Sequence, residues 1–450
     1  MKKTEATGMD MLHGPMMRKI LLFALPLAAG SILQQLFNAV DVAVVGQFAS
    51  SEALAAVGAN TPVVTLLINL FVGISVGSNV VIAHMIGKGE EDHISGAVHT
   101  SILLALVSGV FLMFLGILIA RPLLTLMSTP ENIMDMAVLY LRIYCVGMPF
   151  ILLYNFAAAI LRSIGDTRRP LYCLVAAGVI NAGLNLLFVI VFRMGVSGVA
   201  IATVISNGIS SGMAVRFLHR SDSVIRLEWK QLHFQKKELK QILQIGIPAG
   251  IQGMVFSIAN VCIQSSINSF GSSAVAGSTV AANFEYISYF LVNGFNSAVV
   301  TFVSQNYGAG KLKRCKRAFL LGLVCAMVIA FAVNICSYLG RDVLIRLFTS
   351  DADVADYAAL RLRYVVLFHC LICTYEITGS ALRGLEHSLL PSVLMIFGTC
   401  VFRLVYINTV VIRHHEFQVL MMVYPFSWVL TGAMVIIAFL AVWRKVRNSM

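Results

Sequence analysis

The chain has 450 residues, of which 58% are hydrophobic and only 12% are charged. Soluble proteins carry about 25% charged residues, so a soluble enzyme of this composition would expose far too much apolar surface. Disordered, collagen-like and coiled-coil chains are excluded as well. Because one membrane helix needs about 20 apolar residues, the composition predicts an all-α integral membrane protein with short loops.

The net charge is +12, from 33 Lys and Arg against 21 Asp and Glu. Cytoplasmic loops of membrane proteins collect Lys and Arg, so we expect this excess to face lipid headgroups, with no nucleic-acid partner. The Cys-x-x-Cys pair of Cys370 and Cys373 lies inside an apolar run and is interpreted as packing, not as a metal or redox site. Residues 1–15 are polar, so no cleavable signal is expected.

Twelve apolar runs predict twelve membrane helices, which we number as spans 1 to 12. They cover residues 20–47, 53–85, 97–120, 137–160, 171–192, 196–216, 242–268, 277–305, 318–339, 362–382, 391–412 and 418–443. Span 2 is unusually long. We expect it to be tilted, or to be broken near Pro62 or Gly73.

Lys and Arg are distributed unevenly between the predicted loops. With the N-terminus placed inside, 24 of them, including Lys2, Lys3 and Arg383, lie in inner loops or tails, and 5 lie in outer loops. The other four lie in or at the edge of spans: Arg142, Arg361, Arg363 and Arg403. This bias predicts that both termini are cytoplasmic.

The second half of the chain repeats the first at an offset of 221 or 222 residues. Among the recurring residues are Pro26 and Pro248, Asn38 and Asn260, Gly73 and Gly294, Arg142 and Arg363, and Leu161-Arg162 and Leu382-Arg383. A single offset kept across 145 residues indicates a duplication. Each repeat holds six spans, an even number, so an axis along the membrane normal is expected to relate the halves.

The duplication predicts a division into two lobes. The expected segments are an inner tail (1–17), an N-lobe with spans 1–6 (18–218), a cytoplasmic linker (219–240), a C-lobe with spans 7–12 (241–443) and a second inner tail (444–450). Two like lobes are typical of transporters that work by alternating access. A channel or a scaffold without coupling is the alternative.

Polar side chains follow one face of span 1 and of its counterpart, span 7. The faces carry Ser31, Gln34, Asn38 and Asp41, and Ser257, Asn260, Gln264 and Asn268. Such residues are costly in lipid, so they predict a water-filled cleft. The alternative is that they form hydrogen bonds between packed helices.

Four polar groups in the N-lobe lie at one depth, roughly 9–16 Å below the outer surface by helical rise. They are Asp41, Asn181, Asn185 and Thr203. A carboxylate, amide oxygens and a hydroxyl suit a hard cation such as Na⁺, or a proton site. A purely structural hydrogen-bond cluster is the alternative.

The C-lobe adds charges of its own within the spans, at Glu285, Glu376 and Arg403. One interpretation is an ion pair between Glu376 and Arg403, and the other is a carboxylate that binds a cationic substrate. Together with Asp41 of the N-lobe, the spans then hold three carboxylates and one buried arginine, which predicts an excess of negative charge. Aromatic residues, among them Tyr154, are candidates to line a cavity for organic cations.

No enzyme signature is found. The sequence contains no GxxxxGK[ST] loop, so this chain is not expected to hydrolyse ATP. We expect no cofactor apart from a coupling ion, H⁺ or Na⁺.

Four motifs carry a resemblance to a known family. They are Leu25-Pro26 with Asp41 downstream, Gly87-Lys88-Gly89 after span 2, Leu161-Arg162-Ser163-Ile164-Gly165-Asp166-Thr167 after span 4, and Gln305-Asn306-Tyr307-Gly308-Ala309-Gly310-Lys311 after span 8. Over about residues 18–443 the chain resembles the bacterial type of the multidrug and toxic compound extrusion (MATE) family. The resemblance implies two six-helix lobes and an inner-membrane antiporter, expected to be a monomer, that exports cationic amphipathic xenobiotics in exchange for H⁺ or Na⁺.

The resemblance also implies roles for residues. Asp41 stands at the family's coupling acid, Asn181 and Thr203 match its cation site, and Asn155 is similar to an amide nearby, whereas Asn185 replaces an Asp and removes one charge. The implied substrate cavity takes in Gln34, Asn38, Tyr154, Asn155, Asn260, Gln264, Glu285, Glu376 and Arg403. The alternative is a flippase for lipid-linked precursors from the same superfamily. Twelve spans and mostly acidic intramembrane charges disfavour it.

Overall fold

The structure is a computed structural model that describes residues 8–127 and 129–449. Over these residues it is helical, without strands. Lys2, Lys3 and the start of the predicted 1–17 tail lie outside the described residues.

The α-helices follow in chain order as α1 (Met16–Phe48), α2 (Ser51–Lys88), α3 (Glu91–Leu126), α4 (Glu131–Val146), α5 (Met148–Ser163), α6 (Arg168–Asn185), α7 (Val196–His219), α8 (Lys236–Asn268), α9 (Ser272–Gly308), α10 (Leu312–Leu339), α11 (Arg341–Arg346), α12 (Ala352–Arg361), α13 (Ile372–Gly384), α14 (Leu389–Met395), α15 (Phe402–Tyr406) and α16 (Phe417–Ser449). Wider π-helical turns cover Leu186–Val191, Leu362–Val366, Ile396–Val401 and Ile407–Val411. Tighter 3₁₀ turns cover Trp229–Gln231 and His369–Leu371.

The prediction of twelve spans is confirmed. In the described part of the chain, eleven helical segments are long and apolar enough to cross a membrane, and the bent pair α4–α5 makes a twelfth. This pair bends by 45° at Gly147, because Pro149 lies in the first turn of α5 and has no N–H to bond backwards.

The expected break in span 2 is wrong. Helix α2 runs unbroken through Pro62 and Gly73 for 38 residues, about 57 Å at the helical rise. A proline removes a single N–H donor, and the remaining helical bonds on both sides continue.

The chain forms two compact units. Unit 1 comprises 8–10 and Ala29–Gly250, and unit 2 comprises Met11–Ala28 and 251–449. The division therefore falls just after Pro26 in α1 and just after Pro248 in α8, at the two prolines that the duplication pairs.

Small residues allow helices to pack closely in each unit. In unit 1, a Cβ added to Gly73 of α2 would meet the backbone of Gly250 of α8, and one on Gly77 would meet Gly246. In unit 2, a Cβ on Gly294 of α9 would meet α1 at Ala24 and Ala28. Membrane helices pack by such small-residue contacts, and here the duplication reproduces one of them in both units.

Replacing Gly73 by leucine is expected to lower the melting temperature of the purified protein by several degrees. The new side chain has no room against the Gly250 backbone, and overpacking costs about 1–3 kcal/mol or more. Gly212→Leu is the matched control, because a Cβ there meets open space. Equal melting temperatures for the two variants would refute the close packing of α2 on α8.

Two of the motifs that predicted the family have visible structural roles. In unit 1, the Asp166 carboxylate accepts hydrogen bonds from the N–H groups of Arg168 and Arg169 (both 3.1 Å) and so caps the start of α6. In unit 2, the Asn306 amide donates to the Met11 carbonyl (3.2 Å), and the Arg314 guanidinium also donates to it (3.1 Å). These hydrogen bonds therefore fix the helix ends at which the two motifs lie.

Candidate functional site

Asp41 lies at the end of a polar network in unit 1 that joins three helices. The Asn185 amide of α6 donates to Asp41 Oδ1 of α1 and to Asn181 Oδ1 (3.2 Å). Asn181 in turn donates to the Ser206 hydroxyl of α7 (3.3 Å). Asn181 and Asn185 are buried, one helical turn apart on the same face of α6.

The backbone changes its helical form directly after Asn185. The α-helical part of α6 ends at Asn185, and the π-helical turn Leu186–Val191 begins immediately afterwards. Such wide turns leave backbone groups less regularly paired and occur often at functional sites. Asn185 Oδ1 is buried and has no hydrogen-bond partner in the part of the chain that the structure describes.

The surroundings of the network are apolar. The helices that carry Asp41 and Ser206 also contribute to a buried apolar cluster, which contains Val44 and Val45 of α1, Tyr140 of α4 and Val199 of α7. Within the described residues no basic side chain pairs with Asp41, whose polar partner is the neutral Asn185 amide. Low-dielectric walls strengthen any interaction with a cation that reaches the carboxylate.

The structure brings together three of the four residues predicted for ion coupling. The Thr203 hydroxyl instead donates to the Val199 carbonyl of its own helix (2.9 Å). Ser206, which was not predicted from the sequence, takes the place in the network that Thr203 was expected to fill. It lies three residues after Thr203, on the same face of α7, and that spacing was the available signal.

Two further candidates in unit 1 lie outside this network. The Asn155 amide donates to the Ile151 carbonyl one turn earlier in α5 (2.8 Å). The Tyr154 hydroxyl donates to the Pro170 carbonyl (3.0 Å). Both stay candidates for the substrate cavity, without a direct bond to Asp41.

The polar stripes of α1 and α8 are partly exposed, whereas Ser31, Asp41 and Ser257 within them are half-buried. Gln34, Asn38, Asn260 and Gln264 all have exposed side chains. Gln264 donates to Asn268 of its own helix (3.0 Å), and within the described chain none of the four makes a hydrogen bond to another helix. The interpretation as packing hydrogen bonds therefore does not hold for these four residues.

Unit 2 holds a buried charge cluster at the junction of α9, α12 and the turns after α12. The Arg361 guanidinium donates to the Glu285 carboxylate (2.8 Å). His369 Nδ1 lies 3.1 Å from the Ser288 hydroxyl, and its Nε2 lies 4.0 Å from Glu285. Arg361 is the last residue of α12, directly before the π-helical turn Leu362–Val366.

The predicted ion pair between Glu376 and Arg403 is absent from the described residues. Glu376 of α13 accepts a hydrogen bond from Asn296 of α9 (3.2 Å), and Asn296 Oδ1 accepts one from Ser380. Arg403 of α15 instead donates to the Ser427 hydroxyl of α16 (3.0 Å). The two side chains are held by different helices and point to different partners.

The expected excess of negative charge is wrong as well. Arg361, Arg383 and Arg403 are all buried, so the described residues contain three buried arginines, as many as the three carboxylates Asp41, Glu285 and Glu376. Arg383, predicted in an inner loop, lies within α13 and donates to Gln252 (2.5 Å). The charges of unit 2 therefore do not disfavour a flippase.

Comparison with known proteins supplies the family. The sequence model of MatE matches residues 26–187 and 248–408, more than half of the chain. The chain belongs to the MatE family. The two matched stretches begin at Pro26 and Pro248, which confirms the predicted resemblance and agrees with the duplication. Since MatE proteins are transporters, the chain is a multi-pass membrane transporter of the multidrug efflux family and not an enzyme.

MatE relatives match along most of their length. The probable multidrug resistance protein YpnP of Bacillus subtilis is 28% identical over 83% of this chain and 84% of its own. The FAD transporter of Shewanella oneidensis is 26% identical over 80% of each chain. A structure described as the outward-facing conformation of a multidrug resistance MATE family transporter covers 98% of this chain and 99% of its own, with 23% identity and a TM-score of 0.91. The structural likeness confirms the MatE fold.

Proposed function

We propose that this MatE transporter is a secondary antiporter of the bacterial inner membrane that exports cationic amphipathic compounds by alternating access, in exchange for inward H⁺ or Na⁺. The observation that carries the proposal is Asp41, a carboxylate with apolar surroundings and a neutral amide as its polar partner. Since no ion pair has to break, the carboxylate can gain or release a cation as its access to water changes.

Each coupling ion is favoured by one feature of the site. A proton needs only the Asp41 carboxylate, because the Asn185 amide can keep both of its donor contacts when Asp41 is protonated. Sodium would require the Asn185 side chain to rotate, and its buried oxygen, which lacks a donor, would then join the carboxylate as a ligand. We therefore place H⁺ first and Na⁺ second.

The cargo assignment is supported by the exposed polar side chains of α1 and α8 and by Glu376, whose polar partner is also neutral. The relative named as a probable multidrug resistance protein agrees with export of organic compounds. A flippase for lipid-linked precursors is the alternative. The buried arginines of unit 2 favour it, and the count of twelve spans argues against it.

The coupling ion can be separated in one assay. Efflux of ethidium from a pump-deficient bacterium that expresses the chain is measured with and without Na⁺, and with and without a protonophore. With H⁺ as the coupling ion, efflux stops with the protonophore and continues without Na⁺. With Na⁺ as the coupling ion, efflux stops when Na⁺ is removed. Efflux that survives both treatments contradicts antiport.

A further inference from the structure

Arg403 is a buried cation in unit 2 that forms no ion pair within the described residues. The residue is 1% exposed, and its guanidinium lies over the rings of Tyr424 and Phe256, at 4.9 and 5.7 Å from their centroids. Its Nη1 atom has no hydrogen-bond partner among the described residues, and its Nε bonds to the neutral Ser427 hydroxyl. An uncompensated buried charge is costly, so an arginine kept here indicates a ligand of opposite charge.

A second arginine, Arg361, contacts the same aromatic ring as Arg403. The Arg361 guanidinium lies 5.5 Å from the centroid of the Tyr424 ring, which Arg403 also contacts. Although Arg361 is paired with Glu285, its Nε atom is buried and lacks a partner within the described chain. Two arginines therefore lie over the Tyr424 ring and only one of them, Arg361, is paired with a carboxylate, which leaves a net positive charge around this ring.

Helix α8 covers the arginines with neutral groups. The Gln252 side-chain oxygen accepts a hydrogen bond from Arg383, and one turn later the Phe256 ring covers Arg403. An amide oxygen and an aromatic ring are weaker partners for guanidinium than a carboxylate, whose charge-assisted hydrogen bonds are about twice as strong as neutral ones. A carboxylate would therefore bind Arg403 more strongly than this cover does.

We propose that Arg403, together with Arg361, binds a carboxylate group of the exported compound, so that the cargo is zwitterionic and not purely cationic. This rests on the proposed export function and specifies its substrate class. A carboxylate fits because its two oxygens match the planar donor fork of arginine. The site is closed in this structure, and the carboxylate reaches it when Phe256 moves off the guanidinium.

The test compares two dyes that differ in one group. Rhodamine 110 carries a free carboxylate, and rhodamine 123 is its methyl ester, a plain cation. Their binding to the full chain in phosphatidylcholine nanodiscs is measured by fluorescence anisotropy. We expect rhodamine 110 to bind at least about tenfold more tightly, the effect of one charge-assisted hydrogen bond. A wild-type protein that does not prefer rhodamine 110 overturns the proposal.

Two variants assign the preference to Arg403. Arg403→Gln is expected to remove the preference, so that the affinities for the two dyes lie within about twofold of each other. A thermal melt followed by circular dichroism shows whether the variant is folded. Arg363→Gln is the matched control, since Arg363 is exposed and lies in the π-helical turn next to Arg361. A preference that survives in Arg403→Gln, or is lost in Arg363→Gln, contradicts the assignment.

Two further arms distinguish a cargo carboxylate from a lipid headgroup, and cargo binding from ion coupling. Phosphatidylglycerol is added to the nanodiscs, and the preference is expected to persist. If it disappears, the arginines hold an anionic headgroup and the cargo assignment is wrong.

Asp41→Asn is expected to keep the dye preference while it loses ion-driven export. If the wild type exports rhodamine 123 but does not bind rhodamine 110 more tightly, only this inference is wrong. If the wild type binds rhodamine 110 more tightly but shows no export driven by an ion gradient, the proposed function is wrong.

Discussion

Replacing Asp41 by asparagine is expected to abolish ion-driven export while the protein still folds. Asparagine keeps an oxygen that can accept the hydrogen bond from Asn185, but it can bind neither a proton nor Na⁺ with a full negative charge. In proteoliposomes with an imposed ion gradient, we expect initial export rates at least about tenfold below wild type, the scale of a lost charged interaction.

The matched control for this experiment is Asp135→Asn. Asp135 also belongs to unit 1, but its side chain is 88% exposed and pairs with an exposed Arg121. Surface pairs of this kind contribute at most about 1 kcal/mol, so transport should stay at the wild-type rate. An Asp41→Asn protein that pumps as well as Asp135→Asn would show that the coupling assignment is wrong.

Replacing Glu285 by glutamine is expected to cause a large loss of stability in unit 2. The change leaves Arg361, whose side chain is 8% exposed, without its carboxylate partner. Removing one partner of a buried ion pair typically costs about 3–5 kcal/mol, because the remaining charge stays buried. The melting temperature of the purified protein should fall by roughly 6–20 degrees, at roughly 2–4 degrees per kcal/mol for a unit of this size.

Two companion variants identify the cause of this loss. The double variant Glu285→Gln/Arg361→Gln should recover much of the stability, because Arg361 no longer leaves a buried charge without its carboxylate. Asp342→Asn breaks a pair with Arg341 in which the aspartate is 76% exposed, and it should change little. If Glu285→Gln melts at the wild-type temperature, or if the double variant melts no higher than Glu285→Gln, the buried pair does not stabilise unit 2.

Hydropathy and the duplication were sufficient to predict the helical layout. Charges end an apolar run, and the chain has few of them, so the number and order of the spans were readable. The bounds were less so: span 10 was predicted from residue 362, whereas the helical segment begins at Ala352. The contact between Asp41 and Asn185, 144 residues apart, was predicted from helical depth alone. The depth of a residue can be estimated from the sequence because each residue adds about 1.5 Å along a membrane helix.

The partners of the buried arginines could not be predicted in the same way. Arg361 ends α12 at a π-helical turn, which shifts the faces of the residues that follow, and a regular 3.6-residue period does not describe that shift. Arg383 was placed in a loop because a charged residue marks the end of an apolar run, although α13 continues to Gly384. For Thr203, the hydroxyl turned back to its own helix, a local bond that composition does not reveal.

The most direct test of antiport through Asp41 is to measure whether cargo movement drives ion movement. Proteoliposomes that contain the purified chain are given a gradient of organic cation and no ion gradient, and the internal pH and ²²Na⁺ content are followed. We predict that H⁺, or failing that Na⁺, moves against the cargo in the wild type and that this counter-movement is absent in Asp41→Asn. Downhill cargo movement in the wild type without any counter-movement of either ion would contradict antiport.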